Sequence, residues 1–256
     1  MAPHRDIYQS RNEQDWLHTA CALFRDLTTE AISAKGRCIV ALSGGSTPTA
    51  LYRGITSPQW RSQIAWDRLL FLFSDERCVS PDHPESNYGL AHRHLFGPLN
   101  LPDRQVYPMN GSHPDPAQAA REYENTIRTV TACPAPAIPA LDLILLGMGD
   151  DGHTASLFPG TAAVADSTRL VTVGQAPSGI ASRLTLTLGV INRATVVLFL
   201  VAGAAKAPVV RAVLDPHSAH DQALPAARVR PEAGRVIWLI DHLAGAAFSA
   251  THRSAS

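Results

Sequence analysis

An aspartate and a histidine stand two residues apart in a glycine-rich segment, residues 147–154, of sequence GMGDDGHT. Histidine changes charge near neutral pH and is the side chain most often used as a general base or acid. Asp151 can orient the ring of His153 by accepting a hydrogen bond from one ring nitrogen. The pair predicts acid–base catalysis by His153 with Asp151 as its partner. A capping aspartate beside a solvated histidine is the alternative interpretation.

The same segment matches the Gly-x-Gly-x-x-Gly pattern that binds dinucleotides after a strand. Asp150 and Asp151 would place carboxylates beside a pyrophosphate, and Pro159 ends any following helix after about two turns. The next apolar run, 170–173, is not followed by an acid that could bind a ribose. A nicotinamide or flavin site is therefore disfavoured.

A second polar turn, residues 43–48 of sequence SGGSTP, follows another apolar run. Gly44 and Gly45 let the backbone approach a ligand, and Ser46 and Thr47 offer hydroxyl groups. With a proline at the first helical position, Thr47 is the expected helix cap. Exposed amides at a helix start favour an anion, by ~0.3–1 kcal/mol per charge. The turn predicts a phosphate-binding site. Taken alone, it fits an ordinary capped turn equally well.

Charged side chains follow or precede further apolar runs. Asp75 and Arg77 lie in the segment 74–77, of sequence SDER, while Arg183 and Lys206 add cations at other strand ends. Taken singly, each is more often a surface charge or part of a solvated ion pair. Their common position at strand ends favours a shared site.

The spacing of apolar residues predicts the elements that position these turns. Predicted strands are 37–42, 69–73, 141–146, 170–173, 184–188, 195–201 and 236–240; predicted helices are 12–35, 49–55, 116–131, 204–214 and 245–250. Strands that alternate with helices predict an α/β fold with a mostly parallel sheet covered on two sides. We expect one domain, 1–256, in which the Pro/Ala-rich stretch 131–140 is a surface connection. Ligands of such sheets bind where the strands end.

The composition excludes several function classes. The 256 residues contain 22 Lys plus Arg and 22 Asp plus Glu, so no net charge attracts nucleic acid or an acidic membrane. No apolar run approaches the roughly 20 residues of a membrane-spanning helix, and we expect a cytoplasmic protein. The chain has no His-Glu-x-x-His, EF-hand or Gly-x-Ser-x-Gly motif, and its four cysteines are widely spaced. A metal site and a serine hydrolase are both disfavoured.

Five segments in order resemble the signatures of the 6-phosphogluconolactonases, and the match spans nearly the whole chain. They are SGGSTP at 43–48, SDER at 74–77 with SN at 86–87, GMGDDGHTASLFPG at 147–160, RLTLT at 183–187 and WLID at 238–241. The resemblance implies a Rossmann-like parallel sheet sandwiched by helices, shared with glucosamine-6-phosphate deaminases and ribose-5-phosphate isomerases, without a dinucleotide site. It also implies hydrolysis of 6-phosphogluconolactone in the oxidative pentose phosphate pathway, with neither metal nor cofactor.

On this resemblance, we expect a phosphorylated sugar lactone as the small-molecule partner and a monomer or small homo-oligomer. The predicted catalytic residues are His153, which activates water, Asp151, which holds it, and Arg77, which stabilises the oxyanion. The predicted substrate-binding residues are Gly44, Gly45, Ser46, Thr47, Asp75, Arg183 and Lys206.

Two alternatives remain at this point. Deaminases of the related branch carry a Phe-Asn-Glu-Pro segment and Asp-Glu-Tyr, where this chain has Phe158 before Pro159 and Arg77 after Asp-Glu. The missing glutamate disfavours deamination. A non-catalytic sugar-phosphate sensor would need a DNA-binding module, and the first 36 residues hold only one predicted helix.

Overall fold

The apolar runs of the sequence form a central sheet. The computed structural model describes residues 4–248, which contain nine strands. These are β1 (His4–Gln9), β2 (Cys38–Leu42), β3 (Leu69–Phe73), β4 (Asp75–Arg77), β5 (Leu143–Leu146), β6 (Val171–Gln175), β7 (Ser182–Leu186), β8 (Val196–Val201) and β9 (Arg235–Ile240).

Six strands form the parallel sheet in the order β1-β9-β8-β5-β2-β3. Every residue of β2, β5 and β8 is buried, as expected for strands covered on both faces. The chain proceeds from β2 outward to β3 but from β5 in the opposite direction to β8 and β9. The strand order therefore reverses between β2 and β5, and a crevice opens at their carboxyl ends. The predicted parallel α/β architecture is confirmed.

Helices cover the two faces of this sheet or connect its strands. They are α1 (Glu13–Lys35), α2 (Ser46–Ile55), α3 (Pro58–Arg61), α4 (Asn87–Ala91), α5 (Gly97–Leu99), α6 (Pro116–Thr131), α7 (Ala162–Ala165), α8 (Leu188–Ile191), α9 (Ala207–Leu214) and α10 (Ala219–Ala223). The side chain of Asn12 caps α1, which ends at Gly36 as its sequence predicts. No helix between residues 4 and 248 is long and apolar enough to cross a bilayer.

A second, smaller sheet was not predicted from the sequence. Strands β4, β7 and β6 pair antiparallel in that order. The connection from β6 to β7 is too short for a parallel crossover. Ser74 joins the two sheets, because its N–H donates to Leu42 O (2.7 Å) in the parallel sheet and its carbonyl accepts from Leu186 N (2.8 Å) in the other.

Two predicted elements differ from the structure, and one strand was not predicted. The predicted strand 184–188 ends at Leu186, because Leu188 starts α8. Strand β1 was not predicted, since its sequence HRDIYQ is mostly polar and it pairs only with β9 at the sheet edge. In the predicted helix 245–250, the chain forms isolated turns up to residue 247, and residues 249–250 lie outside the described residues. The stretch 131–140 is a largely exposed connection between α6 and β5, as predicted.

Candidate active site

Turns from both sheets enclose a cavity of about 250 Å³ in the crevice between β2 and β5. All the predicted site residues except Asp151 line it. They are Gly44, Gly45, Ser46, Thr47, Asp75, Arg77, His153, Arg183 and Lys206. The structure thus brings together residues that are up to 162 positions apart in the sequence, from Gly44 to Lys206.

His153 is held by its predicted partner. Asp151 Oδ1 lies 2.6 Å from His153 Nδ1 and accepts the His153 backbone N–H at 3.0 Å. A Cβ on Gly149 would lie 2.0 Å from His153 Nδ1, so only glycine lets the ring fold back over the turn. With Nδ1 engaged, Nε2 is the ring nitrogen left for chemistry.

The charge state of Asp151 is fixed by the same contacts. Partial burial raises its pKa, but the hydrogen bonds and charge of His153 outweigh this effect and lower the pKa of Asp151 below its ordinary value. The aspartate therefore stays ionised near neutral pH and accepts the Nδ1 proton.

The turn after β2 differs in detail from the prediction. Helix α2 starts at Ser46, so Gly45 is the N-cap and Thr47 is the second helical residue rather than the cap. Pro48 is tolerated there because the first four N–H groups of a helix need no intrahelical partner. No side chain caps α2, which leaves the first-turn amides of Ser46 and Thr47 uncapped beside the cavity.

Buried hydroxyl groups hold this turn. Tyr52 Oη donates to Ser43 O at 2.6 Å, and Ser43 Oγ donates to Leu145 O at 2.6 Å. Ser43 Oγ also lies 2.8 Å from Ser74 Oγ. These contacts link the ends of β2, β3 and β5, which fixes the position of the glycine pair.

Asp75 and Asn87 form the polar wall between the two sheets. Asn87 Nδ2 donates to the Asp75 carbonyl (2.8 Å) and to its Oδ1 (3.2 Å), and Asp75 Oδ2 accepts from Ser156 Oγ at 2.7 Å. A Cβ on Gly44 would lie 1.7 Å from Asn87 Oδ1, so the two residues are in close contact. Asn87 lines the cavity but was absent from the predicted site. Its only sequence signal was Ser86-Asn87 at a helix start.

Two arginines face each other across the small sheet. Arg77 on β4 pairs in register with Arg183 on β7. Arg77 Nη1 donates to Glu85 O (2.9 Å), and Arg183 Nε donates to Ile180 O (3.0 Å), so both reach carbonyl oxygens rather than carboxylates. Burial and then the charge of Arg77 lower the pKa of Arg183. Like charges placed directly opposite are unfavourable, and an anion bound between them would relieve the repulsion.

Lys206 supplies a third cation, on the turn after β8. Its Nζ lies 2.6 Å from Asp150 Oδ1. The turn is tied to β9 because both carboxylate oxygens of buried Asp241 accept the Gly203 N–H, each at 3.1 Å. Asp241 of the WLID segment thus holds the start of the turn that carries Lys206.

Glu76 has a structural part in the same wall. Its buried carboxylate accepts the N–H groups of Arg77 and Asn87 (both 2.7 Å) and of Tyr88 (2.8 Å), together with the Ser86 hydroxyl (3.1 Å). Burial raises its pKa despite these bonds. Glu76 therefore ties β4 to the start of α4.

Within residues 4–248 no group of three or more His, Cys, Asp or Glu side chains is placed to hold a metal ion. The groups around the cavity are a histidine–aspartate pair, three cations and the uncapped backbone amides at the start of α2.

Solved α/β proteins with the same fold include sugar-phosphate enzymes. A solved 6-phosphogluconolactonase from Trypanosoma brucei superimposes with a TM-score of 0.85 at 28% identity, over 97% of this chain and 100% of that one. A monomeric glucosamine-6-phosphate deaminase superimposes with a TM-score of 0.78 over 94% of this chain and 99% of that one, at 22% identity, which shows the fold alone.

The chain belongs to the family described as glucosamine-6-phosphate isomerases/6-phosphogluconolactonase, whose model matches residues 11–238. A 6-phosphogluconolactonase from Synechocystis sp. is 41% identical over 245 residues, which is 96% of this chain and 98% of the relative. A 6-phosphogluconolactonase from Homo sapiens is 37% identical over 215 residues, or 82% of this chain and 81% of the relative.

Proposed function

We propose that this chain hydrolyses 6-phospho-D-glucono-1,5-lactone to 6-phospho-D-gluconate, the lactonase step of the oxidative pentose phosphate pathway. The observation that carries the proposal is the position of the His153–Asp151 pair in one cavity with Arg77, Arg183 and Lys206. A base and a cluster of cations suit an ester that also bears a phosphate dianion. The family and its 6-phosphogluconolactonase relatives agree with this chemistry.

His153 acts as the general base. With Nδ1–H donated to Asp151, Nε2 accepts a proton from water while the water oxygen attacks the lactone carbonyl carbon. The tetrahedral intermediate then collapses: the bond from that carbon to the ring oxygen breaks, and the Nε2 proton passes to the ring oxygen. The products are a carboxylic acid, which ionises, and a free hydroxyl group, so no metal or cofactor enters the balance.

The cations interact with two different negative charges, the phosphate dianion of the substrate and the oxyanion of the intermediate. Arg183 and Lys206, with the amides and hydroxyls of residues 44–47, bind the phosphate dianion. Arg77 stabilises the oxyanion of the intermediate, a contribution that is roughly 2.7–4 kcal/mol for a preorganised donor. Asp75, held by Asn87 and Ser156, binds the substrate hydroxyl groups.

The purified protein tests the proposal directly. Added to 6-phosphogluconolactone, it should release acid faster than spontaneous hydrolysis, with many turnovers per protein molecule. Unphosphorylated gluconolactone should be hydrolysed with a higher KM, because it lacks the dianion. Stoichiometric binding without acid release would instead identify a sugar-phosphate sensor and refute the proposal.

The other predictions about the whole protein remain predictions. We propose one catalytic domain, because both sheets contribute to the same cavity. We also propose a cytoplasmic location and a monomer or small homo-oligomer. Deamination is less favoured, because Phe158 contributes no carboxylate to the site.

A further inference from the structure

The aromatic ring of Phe158 lies against two of the cavity residues. Its centroid is 4.4 Å from that of the His153 ring, with 38° between the planes. The Arg183 guanidinium carbon lies 5.5 Å from the Phe158 centroid. Phe158 itself is 4% exposed and is absent from the described cavity lining. The ring therefore contacts a base and a cation without facing the ligand space.

Phe158 is a buried apolar residue that lies outside the contiguous core cluster. Among the described residues, the contiguous apolar core includes the neighbouring Leu157 but not Phe158. The recorded ring contacts of Phe158 are with the imidazole and the guanidinium. The negative face of an aromatic ring attracts such groups, and the attraction is strongest where water is excluded.

The backbone before Phe158 is anchored to the small sheet, and the backbone after it is held by a local turn. Ser156 N donates to Thr185 Oγ1 (3.1 Å), and Ser156 Oγ donates to Asp75 Oδ2 (2.7 Å). The Phe158 carbonyl accepts both N–H (3.2 Å) and Oγ1 (2.8 Å) of Thr161. These bonds fix the ring relative to β4 and β7.

His153 and Arg183 have few other restraints. Asp151 holds one end of the imidazole, whose side chain is still 29% exposed. Arg183 is held by one hydrogen bond to a carbonyl oxygen. Without the ring between them, both side chains could rotate towards solvent.

We propose that Phe158 is a positioning residue that acts through His153 and Arg183, fixing the plane of the base and the place of the cation relative to each other. The proposal rests on the proposed function. It adds that one apolar residue influences both the rate of the chemical step and the affinity for the phosphorylated substrate.

The variant Phe158→Leu keeps the site apolar and removes the aromatic face. We expect kcat on both lactones to fall about three- to tenfold, the size of a lost aromatic ring pair, because His153 loses the ring that orients it. KM should rise by a similar factor for the phosphorylated lactone only, because Arg183 is displaced. The matched control is Phe24→Leu, which removes a buried ring from α1 stacked on Trp66. It should leave both constants within about twofold of the wild type.

Two kinetic outcomes would overturn the proposal: Phe158→Leu within about twofold of the wild type in both constants, or losses equal to those of Phe24→Leu. Proton NMR of the ligand-free wild type gives an independent test. We expect nuclear Overhauser contacts between the ring protons of Phe158 and His153, and a single sharp set of His153 ring signals that doubles or broadens in Phe158→Leu. Absence of those contacts in the wild type overturns the proposal even if the variant does not fold.

The NMR measurement needs no substrate. If the wild type shows the ring contacts but no lactone turnover, the proposed function fails while the positioning of His153 by Phe158 stands. If turnover is present and the ring contacts are absent, the proposed function stands and the positioning of His153 by Phe158 fails.

Discussion

The two sides of the cavity differ in how their charges are satisfied. On the parallel-sheet side, His153 has an ionised partner in Asp151 at 2.6 Å. On the antiparallel side, Arg77 and Arg183 face each other and donate to carbonyl oxygens. The first side is complete before substrate binds, whereas the second is electrostatically unfavourable until an anion arrives. The difference indicates that the base is held in place before substrate binds, whereas the two arginines gain a counter-charge only when an anionic group of the substrate is bound.

Removing the base should have the largest effect. His153→Ala is expected to lower kcat on both lactones by about 10²–10⁴-fold, because the general base is lost. KM should be unchanged, since the cations remain. The assay is acid release corrected for spontaneous hydrolysis, and the control is His220→Ala, an exposed histidine on α10. Wild-type turnover in His153→Ala would show that another group activates the water.

Displacing the base without removing it should have a smaller effect. In Gly149→Ala the new Cβ would lie 2.0 Å from His153 Nδ1, which forces the ring away from its position. A displacement of this size costs about 10²-fold in kcat. Gly189→Ala on α8 is the control, because its Cβ would make only ordinary contacts at 3.5 Å or more and the residue does not line the cavity. Similar kinetics for the two alanine variants would contradict the proposed ring position.

A change on the antiparallel side should alter KM instead. Arg183→Met is expected to raise KM for 6-phosphogluconolactone about tenfold or more, the cost of losing a charged hydrogen bond. KM for unphosphorylated gluconolactone should change little. Inorganic phosphate should raise the unfolding temperature of the wild type more than that of Arg183→Met. The surface variant Arg193→Met, which breaks only an exposed ion pair with Glu232, should behave as the wild type in both assays.

The smallest expected effect is on stability. The pKa of Asp151 is lower in the folded protein, so its charge stabilises the native state above the unfolded pKa, and this contribution is lost as pH falls through the folded pKa. Because the carboxylate is partly exposed, Asp151→Asn should cost less than about 1 kcal/mol near neutral pH. Urea unfolding should show the gap between variant and wild type closing in acid. A gap that is constant with pH would mean that the charge of Asp151 is not its source.

The parallel sheet and the polar turns at its edge could be predicted from the sequence. The turns after β2 and β5 end in glycines and polar residues with local signals, and a parallel sheet brings such turns to one edge. Asn87 had no comparable signal, because its contact with Gly44 joins residues that only the tertiary fold brings together. The antiparallel sheet was missed because apolar runs predict burial without giving strand direction. Strand β1 lacks even that pattern, since an edge strand can be polar.

The central claim is that His153 carries the chemical step and Arg183 the affinity for phosphate. It is tested most directly by combining variants of the two residues. Kinetics of His153→Ala, Arg183→Met and the combined variant on both lactones should show that the first lowers only kcat and the second raises only the KM of the phosphorylated lactone. The combined variant should show both the lower kcat of the first and the higher KM of the second. A change of both constants in either single variant, or equal effects of Arg183→Met on the two lactones, would contradict the account.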